Sequence, residues 1–186
     1  MRTLIVLCLA AGLGFASAAG AVDARVLDWM DLVPEEDQRA WQTVPEELEA
    51  LNRDLLDAGI DELTDEVKLP DVLYSTSVVP ELAGEYVRLP GFIVPLEYNS
   101  RNEAVAFFLV PYFGACIHLP PPPPNQLVYV EFPDGAPGGD DVMFDPYWVV
   151  GKMSIDTTEN ELGVSTYTIV ADHLALYDDY EERPNY

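Results

Sequence analysis

The chain has 186 residues and carries 33 Asp and Glu against 9 Lys and Arg, a formal net charge of −24. Such a surface repels polyanions, which argues against nucleic acid and anionic lipid head groups as partners; it could attract cations or a basic partner, and the plainer reading is solubility or salt adaptation of the surface. A hydrophobic content of 49% is enough for a packed core, so the chain is no disordered acidic tail.

Residues 1–21 read as a secretory signal peptide. Arg2 supplies a positive start, Thr3 to Gly14 is almost unbroken apolar sequence, and the small-x-small sites Ala16-Ser17-Ala18 and Ala19-Gly20-Ala21 follow. The apolar run is short for a bilayer span, and no other segment reaches that length. The expectation is a periplasmic or secreted protein with no stable membrane insertion after cleavage. Cys8 would leave with the signal, making Cys116 the single mature thiol and excluding an internal disulfide.

Residues 22–70 form an acidic arm and a helix. Val22 to Gln42 places Trp29, Met30 and Trp41 among acids, which predicts an extended or loosely helical arm that lays its aromatics on the main body. "TVPEELEALNRDLLDAG" predicts an amphipathic helix. Thr43 and Glu46 match a capping box, Leu48, Leu51 and Leu55 recur at helical spacing, and Gly59 is a natural stop.

Residues 71–186 read as a β domain. "VLYSTSVV", "EYVRLPGFIVPLEY", "AVAFFLVPY", "LVYVEF", "YWVVGKMSI" and "STYTIVADHLAL" are rich in Val, Tyr, Phe and Ile and separated by turn residues. Pro90-Gly91 predicts a corner or bulge, and Asp134-Gly135 a turn within an acidic loop from Phe132 to Asp141. The expected fold is mainly β: a small, partly open, OB-like barrel or a sandwich of five to six short strands.

Chemistry concentrates in "FGACIHLPPPPPNQ", which holds Cys116, His118 and the five prolines Pro120, Pro121, Pro122, Pro123 and Pro124. If the strand through Tyr112 stays extended, Cys116 and His118 point to one face. A thiolate and an imidazole together suit a soft or borderline metal such as Zn(II), with His173, Asp172 or a carboxylate of the acidic loop as a third ligand. The same pair could act as nucleophile and base, and the plainest alternative is a buried thiol behaving as a small hydrophobe. The prolines predict a stiff polyproline II segment of about 15 Å, at roughly 3.1 Å per residue. It would serve as a wall beside the pair, as a crossover between strands, or as a docking segment for a partner. Asn125 and Gln126 are placed to hydrogen-bond back across the turn, and Tyr112 lines the near side. No GxSxG, HExxH, CxxC, EF-hand or phosphate-binding glycine loop is present, and two histidines exclude a multi-histidine centre.

The strings "FFLVPYFGACIHLPPPPPNQLVYV", "LPGFIVPLE" and "YWVVGKMS" together resemble a family of exported bacterial proteins described as a domain of unknown function. The resemblance runs from about Leu82 to Leu176 and is marked by a GACIH-x-PPPPPNQ core. It implies a small exported β protein, without an established activity, that accompanies ABC-type transport genes responding to zinc. The leading expectation is therefore a non-enzymatic binding or accessory protein, holding zinc through Cys116 and His118 and assisting a transport system or another envelope protein. The alternatives are a thiol-dependent enzyme or redox protein and a purely structural interaction module.

Overall fold

The computed structural model describes residues 23–46, 69–115, 122–136 and 142–177. Five strands close a barrel: β2 (Tyr86–Tyr98), β3 (Ala104–Val110), β4 (Val128–Ala136), β5 (Pro146–Ser154) and β8 (Tyr167–Leu176). β1 (Arg25–Val26) lies parallel to β2 at its edge, and β6 (Thr158–Asn160) with β7 (Gly163–Ser165) makes a separate hairpin.

The order β2-β3-β4-β8-β5 returns to β2, with β4 and β8 parallel and the other barrel pairs antiparallel. This is the OB-like barrel of the two expected alternatives, with its circuit of pairings closed rather than partly open. Closure depends on the length and bend of β2. Its first half, Tyr86 to Phe92, pairs with β5, and its second half, Phe92 to Tyr98, pairs with β3. The change of partner falls at Phe92, just after Pro90-Gly91, and the register with β5 runs through that pair unbroken, so the strand stays in one continuous sheet. A Cβ on Gly91 would sit 2.7 Å from the Val110 carbonyl oxygen and 2.8 Å from Leu109 Cγ, so only glycine lets β3 come this close. Gly151 plays the same part at the β5–β8 bulge, where a Cβ would run into the Val170 carbonyl and Ala171 Cα.

Alternate residues point inward, and Val87, Leu89, Phe107, Leu109, Val128, Val130, Val149, Met153, Tyr167 and Ile169 fill the barrel. The N-terminal arm caps this core with Leu27 and Leu32, both fully buried. The aromatics of the arm do lie on the body: Trp29 Nε1 donates to the Pro90 carbonyl at 2.7 Å. A helical turn (Trp29–Leu32) starts from an Asp28–Asp31 capping box, and α1 (Glu35–Trp41) follows. Residues 44–46 open the helix expected from Thr43, and its remainder to Gly59 lies outside the described residues.

Two expectations fail. "VLYSTSVV" is not a strand: 3-10 turns at Asp71–Tyr74 and Pro80–Leu82 bracket an irregular stretch. Pro70 and Pro80 start those turns, and the Val79 N–H bonds to the Tyr167 hydroxyl instead of a strand partner. Asp134-Gly135 does not form a turn within a loop either. It lies inside β4 as a bulge, with Gly135 at φ 83° and the β3–β4 register shifting nearby.

Candidate functional site

β3 is apolar on both faces. Phe107 and Leu109 point into the barrel, whereas Phe108 and Val110 join a second cluster on the outside, with Phe92, Ala115 and Leu127. Val94, Leu96 and Tyr129 pack against that outer cluster. The connection from β3 to β4 leaves the barrel end after Val110 and returns at Leu127, so both its roots are buried on the same outer face.

The leaving end turns at once. The Ala115 N–H bonds to the Tyr112 carbonyl at 3.3 Å and Gly114 has φ 77°, so the strand period stops before Cys116. The alternation argument for Cys116 and His118 therefore cannot be carried through from β3. Cys116, His118, Pro120 and Pro121 lie outside the described residues. Just before them, Tyr112 and Phe113 are exposed, and Phe113 stacks edge-on to Phe92 at 6.0 Å and at a tilt to Phe144 at 5.8 Å.

The returning end is fixed more firmly. Pro122 and Pro123 are buried, with Pro123 in polyproline geometry (φ −63°, ψ 158°), and a 3-10 turn takes over at Pro124–Gln126. These prolines are packed, not presented as an open wall. Asn125 is fully buried, and its amide donates to the Ser77 carbonyl at 3.0 Å and to Asp37 at 3.3 Å. Asp37 also accepts from the Ser75 hydroxyl at 2.5 Å. Gln126 donates to the Trp29 carbonyl at 2.8 Å, and the Pro124 carbonyl accepts from Thr166 at 3.0 Å. Asn125 and Gln126 thus reach the N-terminal arm, well beyond their own turn. Buried beside them, Asn125 Oδ1 and Ser165 Oγ have no hydrogen-bond partner among the described residues.

His173 stands elsewhere. It is exposed on the outer face of β8, in register with Val150 of β5, which is itself in register with Arg88 of β2. Arg88 lies 3.8 Å above the Trp148 ring on that face. Asp172, the extra residue of the bulge, accepts from the Tyr86 hydroxyl at 2.8 Å. That hydrogen bond, then burial and the Asp172 charge, raises the Tyr86 phenol above its ordinary value. Among the described residues, no three His, Cys, Asp or Glu side chains converge to hold a metal ion.

Sequence reasoning missed a second feature of the outer face. The β6–β7 hairpin stands over Leu96 and Tyr129 and leaves a cleft of about 410 Å³, which Glu97, Glu159, Glu161 and Leu162 also line. Tyr129 lies in an apolar strand whose pattern marks it as core, and the three-residue strands of the hairpin are too short to show a period. Burial, and then the charges of Glu97 and Glu131, raise the Tyr129 phenol above its usual value.

A family model described as "Protein of unknown function (DUF3299)" matches residues 29–176. The chain belongs to this family. The crystal structure of a DUF3299 family protein from Pseudomonas aeruginosa PAO1 is similar, at 30% identity and a TM-score of 0.62. The similarity covers 86% of this chain and 99% of that one. None of the curated proteins matches the chain. The DUF3299 match begins at Trp29, the residue whose carbonyl holds Gln126. The family unit therefore includes the arm that anchors the proline segment, beyond the Leu82 to Leu176 stretch that carries the resemblance in sequence.

Proposed function

We propose that this DUF3299 protein is an exported, non-enzymatic binding or accessory protein that holds a transition metal, zinc foremost, through Cys116 and His118 and serves a transport system of the cell envelope. One observation carries the reading: both roots of the segment bearing the pair are pinned. Ala115 is packed in the outer cluster, and Asn125 and Gln126 are tied to Ser77 and Trp29. Fixed roots reduce the ordering cost of gathering ligands on a loop. A thiolate and an imidazole are both ordinary zinc ligands. Export is supported by Arg2, the apolar run Thr3 to Gly14 and the small-x-small sites after it. The excess of acidic residues raises the local cation concentration without selecting the ion.

Native mass spectrometry of untagged protein, prepared with ample zinc, tests the reading. The expected result is about one zinc per chain, lost in Cys116→Ser and in His118→Ala. A metal-free wild type overturns it. If His173→Ala keeps the zinc, the third position belongs to a carboxylate.

A further inference from the structure

The cleft beneath the β6–β7 hairpin differs in chemistry from the Cys116 segment. Its volume of about 410 Å³ falls within the size range of small-ligand sites. The floor is apolar, because Leu96 and Tyr129 continue the outer cluster and Tyr129 stands edge-on to Phe108 at 6.3 Å. Leu162, 47% exposed, supplies an apolar wall from the hairpin. The tip is shaped by Asn160, whose side-chain oxygen accepts from the Leu162 N–H at 2.8 Å.

The rim is acidic. Glu97 approaches from β2, and Glu159 and Glu161 come from the hairpin, while no Lys or Arg lines the cleft. None of these three carboxylates is paired with a cation among the described residues. They do not converge as the ligands of a metal ion would. An apolar trough with separated carboxylates at its edges matches an organic cation, whose methylenes lie on the floor while its charged end stays at the rim. Burial first, and then the charges of Glu97 and Glu131, raise the Tyr129 phenol at the floor, in keeping with an acidic surrounding.

We propose that this cleft binds an alkylammonium group, with its methylene stem along Leu96, Tyr129 and Leu162 and its ammonium between Glu97 and the hairpin acids Glu159 and Glu161. That chemistry is carried by a free linear polyamine or by a lysine side chain of a partner protein.

Isothermal titration calorimetry of the full chain with spermidine, and in a second arm with a short lysine peptide, tests this at about 0.15 M salt, where diffuse attraction is screened. The expected result is saturable binding of one ligand per chain. Glu97→Gln with Glu161→Gln weakens it roughly fivefold or more, since two exposed ion pairs are lost. Leu162→Ser weakens it too, although the net charge is unchanged. Glu36→Gln with Glu46→Gln removes the same charge from the exposed arm and leaves the affinity within about twofold. A thermal melt of each variant, expected to match wild type, separates loss of binding from loss of fold. Tighter binding of the peptide assigns the lysine source, and tighter binding of spermidine assigns the free amine. Unsaturable heats, or equal losses in the two double variants, overturn the proposal in favour of diffuse attraction to an acidic chain.

Discussion

The inside of the barrel and the outside of β2, β3 and β4 are both apolar, yet they are covered by different means. Inside, strand pairing runs all the way round, and Leu27 and Leu32 of the arm cap the core. Outside, among the described residues, Phe108 and Val110 pack with Ala115 and Leu127 at the two ends of the β3–β4 connection, and Tyr129 lines the cleft beside the short β6–β7 hairpin. A closed barrel needs only its inner face to be apolar. The second apolar face has no use in closing the sheet, and the loops that cover it carry the Cys116 segment and the acidic rim. In this molecule, stability is concentrated inside and the candidate sites outside.

The largest expected effect tests that division directly. Phe107 and Phe108 are neighbours in β3, both fully buried, and they face opposite ways. Phe107→Ala leaves a cavity that the paired strands cannot close, and the expected loss is about 3–5 kcal/mol. Phe108→Ala removes the same atoms from the smaller outer cluster, which is walled by the sheet on one side alone, so its cost falls below that of Phe107→Ala. Urea unfolding of the two variants measures the difference. Equal losses would mean that the outer cluster is as rigid as the core.

Tyr167 comes next, because it ties the arm to the barrel. Its buried hydroxyl donates to the Leu32 carbonyl at 2.9 Å and accepts from the Val79 N–H at 2.6 Å. Tyr167→Phe leaves both backbone groups without that partner, for an expected cost of about 1–3 kcal/mol. Burial raises the phenol's pKa in the folded protein, and the Val79 hydrogen bond offsets part of that rise. The folded state therefore favours the neutral form. Its contribution is complete below the unfolded value of about 10 and is lost as the pH climbs from there through the folded value. Thermal melts across the alkaline range should show wild type losing stability faster than Tyr167→Phe. Parallel curves would mean that the hydroxyl is not shielded as the structure places it.

Much of the barrel was legible because its strands are long enough to show their pattern. β2, β4, β5 and β8 alternate or carry β-branched and aromatic runs, and the unbroken AVAFFLV of β3 fits a strand covered on both faces. β1 and the β6–β7 hairpin have two and three residues per strand, too few for any period. The candidate site was harder to read. "PNQ" looked like a local turn, but its amides bond to Ser77 and Trp29, partners far away in the chain that no local pattern announces. The cleft was invisible for the same reason, since Glu97 and Glu161 come to line one cleft only in the folded barrel.

The smallest expected effect lies at the opposite end of β3 from the Cys116 connection. In the β2–β3 turn, Glu103 accepts from Asn99 Nδ2 at 2.8 Å and from Arg101 Nε at 2.8 Å, with Arg101 forming an ion pair at 2.7 Å. The Asn99 hydrogen bond is the main cause that holds the Glu103 carboxyl below its usual value; burial opposes it, and the bond and charge of Arg101 add to the lowering. A lowered folded value means that this contribution is present above the unfolded value of about 4.3 and is lost as the pH falls through the folded value. The carboxyl is only part-buried and its partner Arg101 is exposed, so Glu103→Gln should flatten only the acid limb of a thermal-stability profile, by less than either change above. The same variant sharpens the comparison of the two coverings. The turn closes one end of β2 and β3, while the Cys116 connection leaves from the other, so zinc retention should be unaffected. Loss of zinc in Glu103→Gln would mean that the two ends of the strand pair are coupled, and the outer covering could no longer be treated as separate from barrel closure.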